Sequence, residues 1–221
     1  HPSHQVFLRE YTPGAPVATG RLVDSATGGY VANWGEVKAQ AASSLGIILT
    51  DADVTNVPLL LTDEYGNFLP AANGYPQMVT TTGVTAGAPG GVAVPANVVR
   101  TGHAFLDDIA NGAAPQFTAG VLDPSKYNAA LLNEHFITGD GRGNENIGLS
   151  AMHTMFHSEH NRLVADLESI IAANPTLQSG FNAGGSWTHN QRVFQAARFV
   201  NEMEYQHAVF EEFARTLSPA I

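Results

Sequence analysis

The sequence predicts a mainly α-helical protein with a small β-hairpin and long irregular loops. Two long stretches in the C-terminal half repeat apolar residues at three- and four-residue steps, as amphipathic helices do. Residues 57–69 place a polar turn between two apolar segments, which predicts the hairpin. Residues 82–97 are rich in Gly, Ala, Pro and Thr, which predicts a low-complexity surface loop. With 221 residues, 44% of them hydrophobic, residues 1–221 are predicted to form a single domain or part of one.

The first third of the chain is predicted to be extended before it becomes helical. Prolines and glycines, Gly29 among them, punctuate residues 1–33, so we expect an extended N-terminal arm in which only residues 5–10 are ordered. Asn33 is placed to cap a helix over residues 34–45 that Gly46 ends. A short helical turn is expected near residues 51–56 and a strand at 77–81.

The remaining elements are mostly helical. Short helices are predicted at residues 104–109 and 124–133, the second with proline in its first turn. The principal helix is predicted to open at residue 144 or 145 and to end before Pro175. Its expected buried stripe is Leu149, Met152, Phe156, Leu163, Leu167 and Ile170.

The last helix is predicted to begin near Ser186 or Thr188 and to continue to about Leu217, before Pro219. Gln191 is placed to complete a capping box with Thr188. The expected buried face is Val193, Ala197, Val200, Met203, His207, Phe210, Ala214 and Leu217.

Composition excludes several classes of protein. A formal charge of −10 and a pI near 5.2 argue against nucleic acid and anionic membrane partners. The absence of cysteine excludes disulfides, thiolate metal sites and cysteine nucleophiles. No apolar run approaches the ~18 residues that a membrane span needs, and the N-terminus lacks a signal-peptide pattern.

Residues 136–163, FITGDGRGNENIGLSAMHTMFHSEHNRL, carry most of the functional information. Arg142 lies in a Gly-rich loop directly before a helix with three histidines. A guanidinium stays charged at any working pH and offers a rigid fork of donors, so it can stabilise negative charge that develops on an oxygen. The alternative is that Arg142 pairs with Asp140 or Glu145 and only holds the loop together.

This stretch resembles the distal-side motif of the animal-type haem peroxidases. In that family a Gly-Asp-x-Arg-x-x-Glu loop runs into a helix of the form Met-His-x-x-x-x-x-Glu-His-Asn-Arg-Leu, and every marked position is filled here. The resemblance implies that Arg142 is the catalytic, haem-contacting distal arginine. It also implies that Glu145 binds haem b, since mammalian members have there a glutamate that can become ester-linked to a haem methyl. Asn146 stands where some members have a sulfur-linked methionine, so no sulfonium link is expected.

The resemblance continues in HPSHQVFLREY, RTGHAFLDDIA and RVFQAARFVNEMEYQHAVFEEFAR, particularly to bacterial secreted members of the superfamily. It therefore implies an extracellular protein. In the family, an Asp-His-x-Asp segment and a calcium loop precede the position of His1, and the proximal histidine follows the last helix. We therefore expect this chain to be the middle of a catalytic domain, with the remaining segments of the same polypeptide as its partners. His103 lies in the wrong context to replace a missing iron ligand.

The implied reaction is peroxidase chemistry of the kind used in the response to oxidative stress. Hydrogen peroxide is reduced at ferric haem, and a small reductant is then oxidised. A distal histidine outside this chain would move the proton while Arg142 stabilises charge on the departing oxygen. Halide, phenol and Mn(II) all remain open as donors. The competing hypothesis is an inactive fragment or pseudo-enzyme that serves as a structural or interaction module.

Two non-haem metal sites are less favoured alternatives. His153, His157 and His160 fall within a ~60° arc of the helix, but their spacing is not a standard ligand pattern. Glu204-x-x-His207 has the spacing of di-iron proteins, yet the required second copy is missing. The turn with Asp140, Asn144 and Glu145 lacks the ligand rhythm of a calcium loop.

Overall fold

A computed structural model describes residues 1–26, 28 and 31–218 of the chain. The chain divides into two compact units. The first comprises His1–Thr19 and Val23–Thr154, and the second comprises Gly20–Leu22 and Met155–Ile221. The mainly α-helical fold class is confirmed, and the assignment of residues 1–221 to a single domain stays a prediction.

The N-terminal segment differs from the expected arm. It begins with helix α1 (Pro2–Leu8), which is followed by strands β1 (Arg9–Tyr11) and β2 (Ala18–Leu22). The side chain of His1 caps α1 by accepting the Ser3 N–H at 3.1 Å. Val6 and Phe7 are buried in the core, so burial of apolar surface outweighs the proline and glycine signals around them. Gly29 lies outside the described residues.

The predicted helix after Asn33 is confirmed as α2 (Trp34–Ser43). Asn33 and Glu36 form a reciprocal capping box, each side chain accepting the other's backbone N–H at 2.9 Å. Gly46 follows with φ of +65°, and a Cβ there would lie 2.4 Å from the Ala88 carbonyl oxygen. The turn expected near residues 51–56 is the 3₁₀ helix Asp51–Asp53.

Short strands form small two-stranded sheets in the first unit. Strand β3 (Ile47–Ile48) pairs in parallel with β6 (Val92–Ala93), and β4 (Gln77–Thr80) pairs antiparallel with β5 (Gly83–Ala86). Strands β7 (Phe117–Thr118) and β8 (Val121–Leu122) form a third, antiparallel pair. The strand predicted at 77–81 is therefore confirmed, whereas residues 82–97 include β5 and β6 rather than loop alone.

The expected hairpin at residues 57–69 is a turn with isolated bridges, without a regular strand in these described residues. The Asp63 N–H donates to the Asn67 carbonyl at 2.9 Å, and Thr62 bridges Phe68. The Leu69 N–H also donates to the Leu61 carbonyl at 2.8 Å, so residues 61–63 pair locally with residues 67–69 as the hairpin prediction requires. The segment pairs with distant residues as well, through the Leu60–Met78 bridge.

The core of the first unit surrounds Phe105, whose ring contacts those of Phe7 and Trp34 at 5.5 and 5.0 Å. The helix predicted over residues 104–109 was wrong, because the Phe105 and Leu106 N–H groups both donate to the Val54 carbonyl. These long-range bonds replace the intrahelical ones.

The helix predicted over residues 124–133 is shorter than expected. It forms only as α3 (Ala129–Asn133), capped by the side chain of Asn128, so Pro124 is not in its first turn. The Asn128 cap sets the start of the helix and outweighs the proline signal.

The principal helix is α4 (Ile147–Ala173), and Thr154 is its last residue in the first unit. Its buried residues are His160, Asn161, Leu163, Val164 and Ile171. The predicted stripe was only partly right, because Met152 and Ile170 are 45% and 55% exposed. None of the helices in the described ranges is long and apolar enough to cross a membrane.

In the second unit, α4 is followed by α5 (Pro175–Phe181) and α6 (His189–His207). The Thr188–Gln191 capping box is confirmed. A π-helical segment (Ala208–Ala214) and α7 (Arg215–Leu217) continue to the predicted end, while Pro219 lies outside the described residues.

Burial on the last helix is confined to its first half. The buried residues of α6 are Val193, Phe194 and Ala197. The second half of the expected buried face was predicted wrongly, since Met203, Phe210 and Leu217 are more than half exposed. Apolar periodicity identifies a face but does not supply the element that covers it.

Candidate functional site

The loop that carries Arg142 is built from two consecutive turns. The Asp140 carbonyl accepts the Gly143 N–H at 3.1 Å, and the Arg142 carbonyl accepts the Glu145 N–H at 2.9 Å. The Thr138 hydroxyl donates to the Asp140 carbonyl and accepts the Asp140 N–H at 3.2 Å. The backbone on both sides of Arg142 is therefore fixed by hydrogen bonds.

Asn144 ties this loop to the rest of the first unit. Its side-chain amide donates to the Phe136 carbonyl at 2.8 Å and accepts the Phe136 N–H at 2.9 Å. The next residue, Ile137, donates its N–H to the Ala32 carbonyl at 2.9 Å, just before α2. The Asn144 side chain thus satisfies both backbone groups of Phe136, as a neighbouring strand would, and this explains an asparagine at that position of the loop.

Gly141 and Gly143 are required in the loop because side chains from neighbouring residues approach them too closely for a Cβ atom. A Cβ at Gly141 would lie 2.3 Å from an Asp107 carboxylate oxygen and 2.9 Å from the Asp107 nitrogen. A Cβ at Gly143 would lie 2.5 Å from the Thr138 hydroxyl. The Gly-rich composition around Arg142 therefore allows the loop to pack closely on its neighbours.

Arg142 and Asp140 form a two-point ion pair. Arg142 Nε donates to Asp140 Oδ1 at 3.0 Å, and Nη2 donates to Oδ2 at 2.8 Å. Hydrogen bonds from Arg142 lower the pKa of Asp140 to about 2, and the same interaction raises the pKa of Arg142. The Arg142 side chain is 67% exposed, and its Nη1 makes no hydrogen bond within the described part of the chain. One edge of the guanidinium is held and the other is open.

Glu145 and Asn146 lie at the junction of the loop and α4. The Glu145 side chain is exposed and makes no hydrogen bond to any described residue. Asn146 Oδ1 accepts the Leu149 N–H at 2.9 Å, so Asn146 satisfies a donor of the first helical turn. The Ser150 hydroxyl donates to the Gly143 carbonyl at 2.7 Å and joins the helix back to the loop.

His153 is half-buried on the first part of α4. Burial lowers its pKa, and the charge of Asp140 partly opposes that shift. Its Nε2 is enclosed and has no hydrogen-bond partner among the described residues. The sequence pattern offers His153 only as part of a less favoured metal site, and it gives no sign of this unmet nitrogen.

In the second unit, His160 and Asn161 hold structure together. His160 is 2% exposed, donates Nε2–H to the Phe194 carbonyl at 3.2 Å and packs against the Phe194 ring. Asn161 accepts the Leu22 N–H at 2.8 Å and donates to the Leu22 carbonyl at 3.0 Å. The Asn of the Glu-His-Asn-Arg-Leu segment therefore clamps a strand that is far away in sequence.

The metal alternatives receive no geometric support. Across residues 1–26, 28 and 31–218, no group of three or more His, Cys, Asp or Glu side chains could hold a metal ion. His153, His157 and His160 are therefore not assembled as a ligand set, and Glu204 and His207 are exposed on α6. Asp140, one of the two acidic residues of the calcium-like turn, is already engaged by Arg142.

His135 is a further polar residue that the sequence analysis did not single out. Its Nδ1 donates to the Leu131 carbonyl and its Nε2 accepts the Ala110 N–H, both at 2.9 Å. Both ring nitrogens are used, so the ring is fixed as the Nδ1–H tautomer. His135, which lies shortly before the arginine loop, therefore links α3 to residue 110. No spacing in the sequence signals that role.

Comparison with known proteins identifies the same part of the chain. The animal haem peroxidase family matches residues 110–217, which include Arg142, α4 and α6. The peroxidasin homolog of Mus musculus is 53% identical over 72 residues, which cover 33% of this chain and 4% of that protein. The chorion peroxidase of Aedes aegypti is 39% identical over 75 residues, covering 34% and 8%. The peroxidase mlt-7 of Caenorhabditis elegans is 37% identical over 93 residues, covering 42% and 11%.

No solved structure matches this chain significantly. The matched stretches span between 4% and 11% of the length of the curated relatives, in keeping with a middle segment of a larger domain. The residues that match the family include the Gly-Asp-x-Arg-x-x-Glu loop and the helix that follows it. Over residues 110–217, just under half of its length, the chain is therefore similar to the animal haem peroxidase family.

Proposed function

We propose that this chain is the distal-side part of a haem-dependent peroxidase that reduces hydrogen peroxide and oxidises a small donor. The observation that carries the proposal is the geometry of Arg142, whose guanidinium is held along one edge by Asp140 and open along the other. A preorganised cation with free donors is what charge development on a departing peroxide oxygen requires.

The residues of the loop fit the distal face and edge of a haem. Arg142 presents free N–H donors, and Glu145, three residues later, presents an exposed carboxylate without a hydrogen-bond partner among the described residues. The unmet Nε2 of His153 marks a further polar group close to Asp140. Bound haem would supply the redox-active iron at which peroxide is reduced. The calcium of the family is proposed to bind elsewhere in the polypeptide, because its loop is outside these residues.

Each loop residue then has a defined task. Arg142 remains protonated throughout the pH range of catalysis and donates hydrogen bonds to the peroxide oxygen that becomes negative. Glu145 would hold the haem edge through its exposed carboxylate. Asn146 cannot form the sulfur link that a methionine makes, and it caps α4 instead. The distal histidine that transfers the proton is expected from the remaining polypeptide.

The remaining segments of the same polypeptide are the proposed partners of the second unit. Apolar side chains on the last helix, including Phe199, Met203, Phe210 and Phe213, are more than half exposed. Such a surface is costly to leave in water and is suited to cover by further elements of a peroxidase domain. Hydrogen peroxide and a small reductant are the proposed substrates, and a secreted location is proposed on the resemblance to secreted members.

A second candidate is a structural or interaction module without peroxidase activity. The Arg142–Asp140 pair favours it, since the same contact would hold the loop together with no catalytic role. The two proposals differ in what the open edge of Arg142 does.

Haem titration followed by ultraviolet–visible spectroscopy tests the proposed function. Residues 1–221 alone and the polypeptide encoded by the whole reading frame are compared, with Arg142→Ala and the control Arg162→Ala. Arg162 is a suitable control because it is an exposed arginine paired with Glu159 and Asp166. We expect only free-haem absorption from residues 1–221, and a sharp Soret band with Arg142-dependent turnover from the whole polypeptide. A whole polypeptide that binds no haem would favour the module instead.

A further inference from the structure

We propose that Asp140 is the positioning residue for Arg142: its carboxylate holds the Nε/Nη2 edge of the guanidinium so that the Nη1 edge faces the substrate. This inference rests on the proposed function and deepens it, because it assigns the residue that preorganises the catalytic arginine. Asp140 itself does not touch the substrate and acts only through Arg142.

Asp140 is suited to this task because its own position is fixed from the backbone. Its N–H and carbonyl are both bonded to the Thr138 hydroxyl, and its carbonyl also accepts the Gly143 N–H. Asp140 Oδ1 additionally accepts the backbone N–H of Arg142 at 3.0 Å. The carboxylate therefore stands in a fixed place relative to the residue that it orients.

The two-point contact selects one orientation of the guanidinium. A fork-to-fork pair with bonds of 3.0 and 2.8 Å fixes the plane and the rotation of the group, which a single hydrogen bond does not. Because the Nε and Nη2 donors face Asp140, the Nη1 donors lie on the opposite edge. Without this anchor, a long side chain that is 67% exposed samples many rotamers.

Nearby acidic groups make the choice of partner important. Glu145 and Asp107 also interact electrostatically with Arg142, although neither forms a hydrogen bond to it. If Asp140 loses its charge, either of these carboxylates becomes a competing acceptor. Pairing with Glu145 would also engage the residue proposed to hold the haem edge, so loss of Asp140 would disturb two functions of the loop.

The orientation is tested first on residues 1–221 by ¹⁵N nuclear magnetic resonance of the arginine Nε–H groups. Arg142→Lys assigns the Arg142 signal, and Asp140→Asn removes the charged acceptor. The matched control is Asp166→Asn, which removes the carboxylate of another exposed arginine pair. We expect a slowly exchanging Arg142 Nε–H that is lost in Asp140→Asn, regained in part in Asp140→Glu and unchanged in Asp166→Asn. An Arg142 signal that is unchanged in Asp140→Asn would overturn the proposal.

The functional consequence is tested in the haem-loaded whole polypeptide, through the bimolecular rate constant for reaction with hydrogen peroxide. Misplacement of a catalytic group by about 1 Å can cost up to about 100-fold, so we expect Asp140→Asn to lower the rate constant about 10-fold or more. Asp140→Glu should recover part of that loss, which a fold defect would not predict. A normal rate in Asp140→Asn beside a slow Arg142→Gln would overturn the positioning role. A normal rate in Arg142→Gln itself would overturn the proposed function, and with it the functional importance of Asp140.

Discussion

His4 is predicted to make the stability of the first unit depend on pH. It lies on α1, is 4% exposed and meets the Phe105 ring edge-to-face at 4.9 Å. Its Nε2 has no hydrogen-bond partner in the described chain, and burial lowers its pKa from 6.5 to about 4. The folded protein therefore holds this imidazole neutral where the unfolded chain would protonate it.

The direction and size of the effect follow from proton linkage. Between pH 6.5 and about 4 the unfolded chain binds a proton at His4 that the folded chain does not, so stability is lost as the pH falls. At about 1.36 kcal/mol for each pH unit, a pKa lowered from 6.5 to about 4 corresponds to about 3 kcal/mol. Above pH 6.5 the contribution is fully present.

Urea unfolding followed by circular dichroism between pH 4 and 7.5 measures this contribution. We compare the wild type with His4→Phe, which keeps a ring but cannot titrate, and with His207→Asn, which alters an exposed histidine in the second unit. The wild type and His207→Asn should lose about 3 kcal/mol more than His4→Phe over this range. The carbon-bound proton resonances of His4 report its pKa directly in the folded chain. Equal pH slopes in all three proteins, or a measured pKa above 6, would refute the reasoning.

Three further substitutions test the packing of the first-unit core, of the arginine loop and of the second unit. Asp51→Asn should reduce the free energy of unfolding by about 3 kcal/mol, because the buried carboxylate accepts hydrogen bonds from Trp34, Lys38 and Tyr127. An unchanged midpoint of urea unfolding would contradict this. Gly141→Ala should displace the arginine loop, because the added Cβ would collide with Asp107. The amide chemical shifts of residues 138–146 should therefore change. Unchanged shifts would show that Gly141 is not required for the position of the loop. Asn161→Ala should lower the free energy of unfolding by about 1 to 3 kcal/mol, because the backbone N–H and carbonyl of Leu22 both lose their partner. Hydrogen exchange of the Leu22 amide should become faster. Unchanged protection of that amide would argue against the clamp.

Local sequence patterns predict the structure correctly where backbone groups are hydrogen-bonded by side chains nearby in the sequence. Asn33 with Glu36 and Thr188 with Gln191 form capping boxes within four residues, so their partners are visible in the sequence. The pattern at residues 104–109 was misread, because Phe105 makes its backbone bond to Val54, about fifty residues earlier. No local pattern reveals such a partner.

The candidate site and the second unit likewise combine local contacts, which the sequence predicts, with long-range contacts, which it does not. The contact between Arg142 and Asp140 was foreseeable as one of two alternatives, since the residues are two apart. The clamp of Asn161 on Leu22 spans 139 positions and was not foreseeable from spacing. Apolar repeats on the last helix predicted a buried face, but Phe210 remains exposed because no described element packs over it.

The most direct test of the central claim is stopped-flow reaction of the haem-loaded whole polypeptide with hydrogen peroxide. Arg142→Gln removes the guanidinium proposed to stabilise the departing oxygen, and Arg162→Gln is the matched control on an exposed ion-paired arginine. Loss of one such donor typically slows catalysis by about 100- to 1000-fold, so Arg142→Gln should slow the change in the Soret band by that factor while Arg162→Gln stays near the wild-type rate. An Arg142→Gln protein that reacts as fast as the wild type would contradict the assignment of Arg142 as the distal arginine.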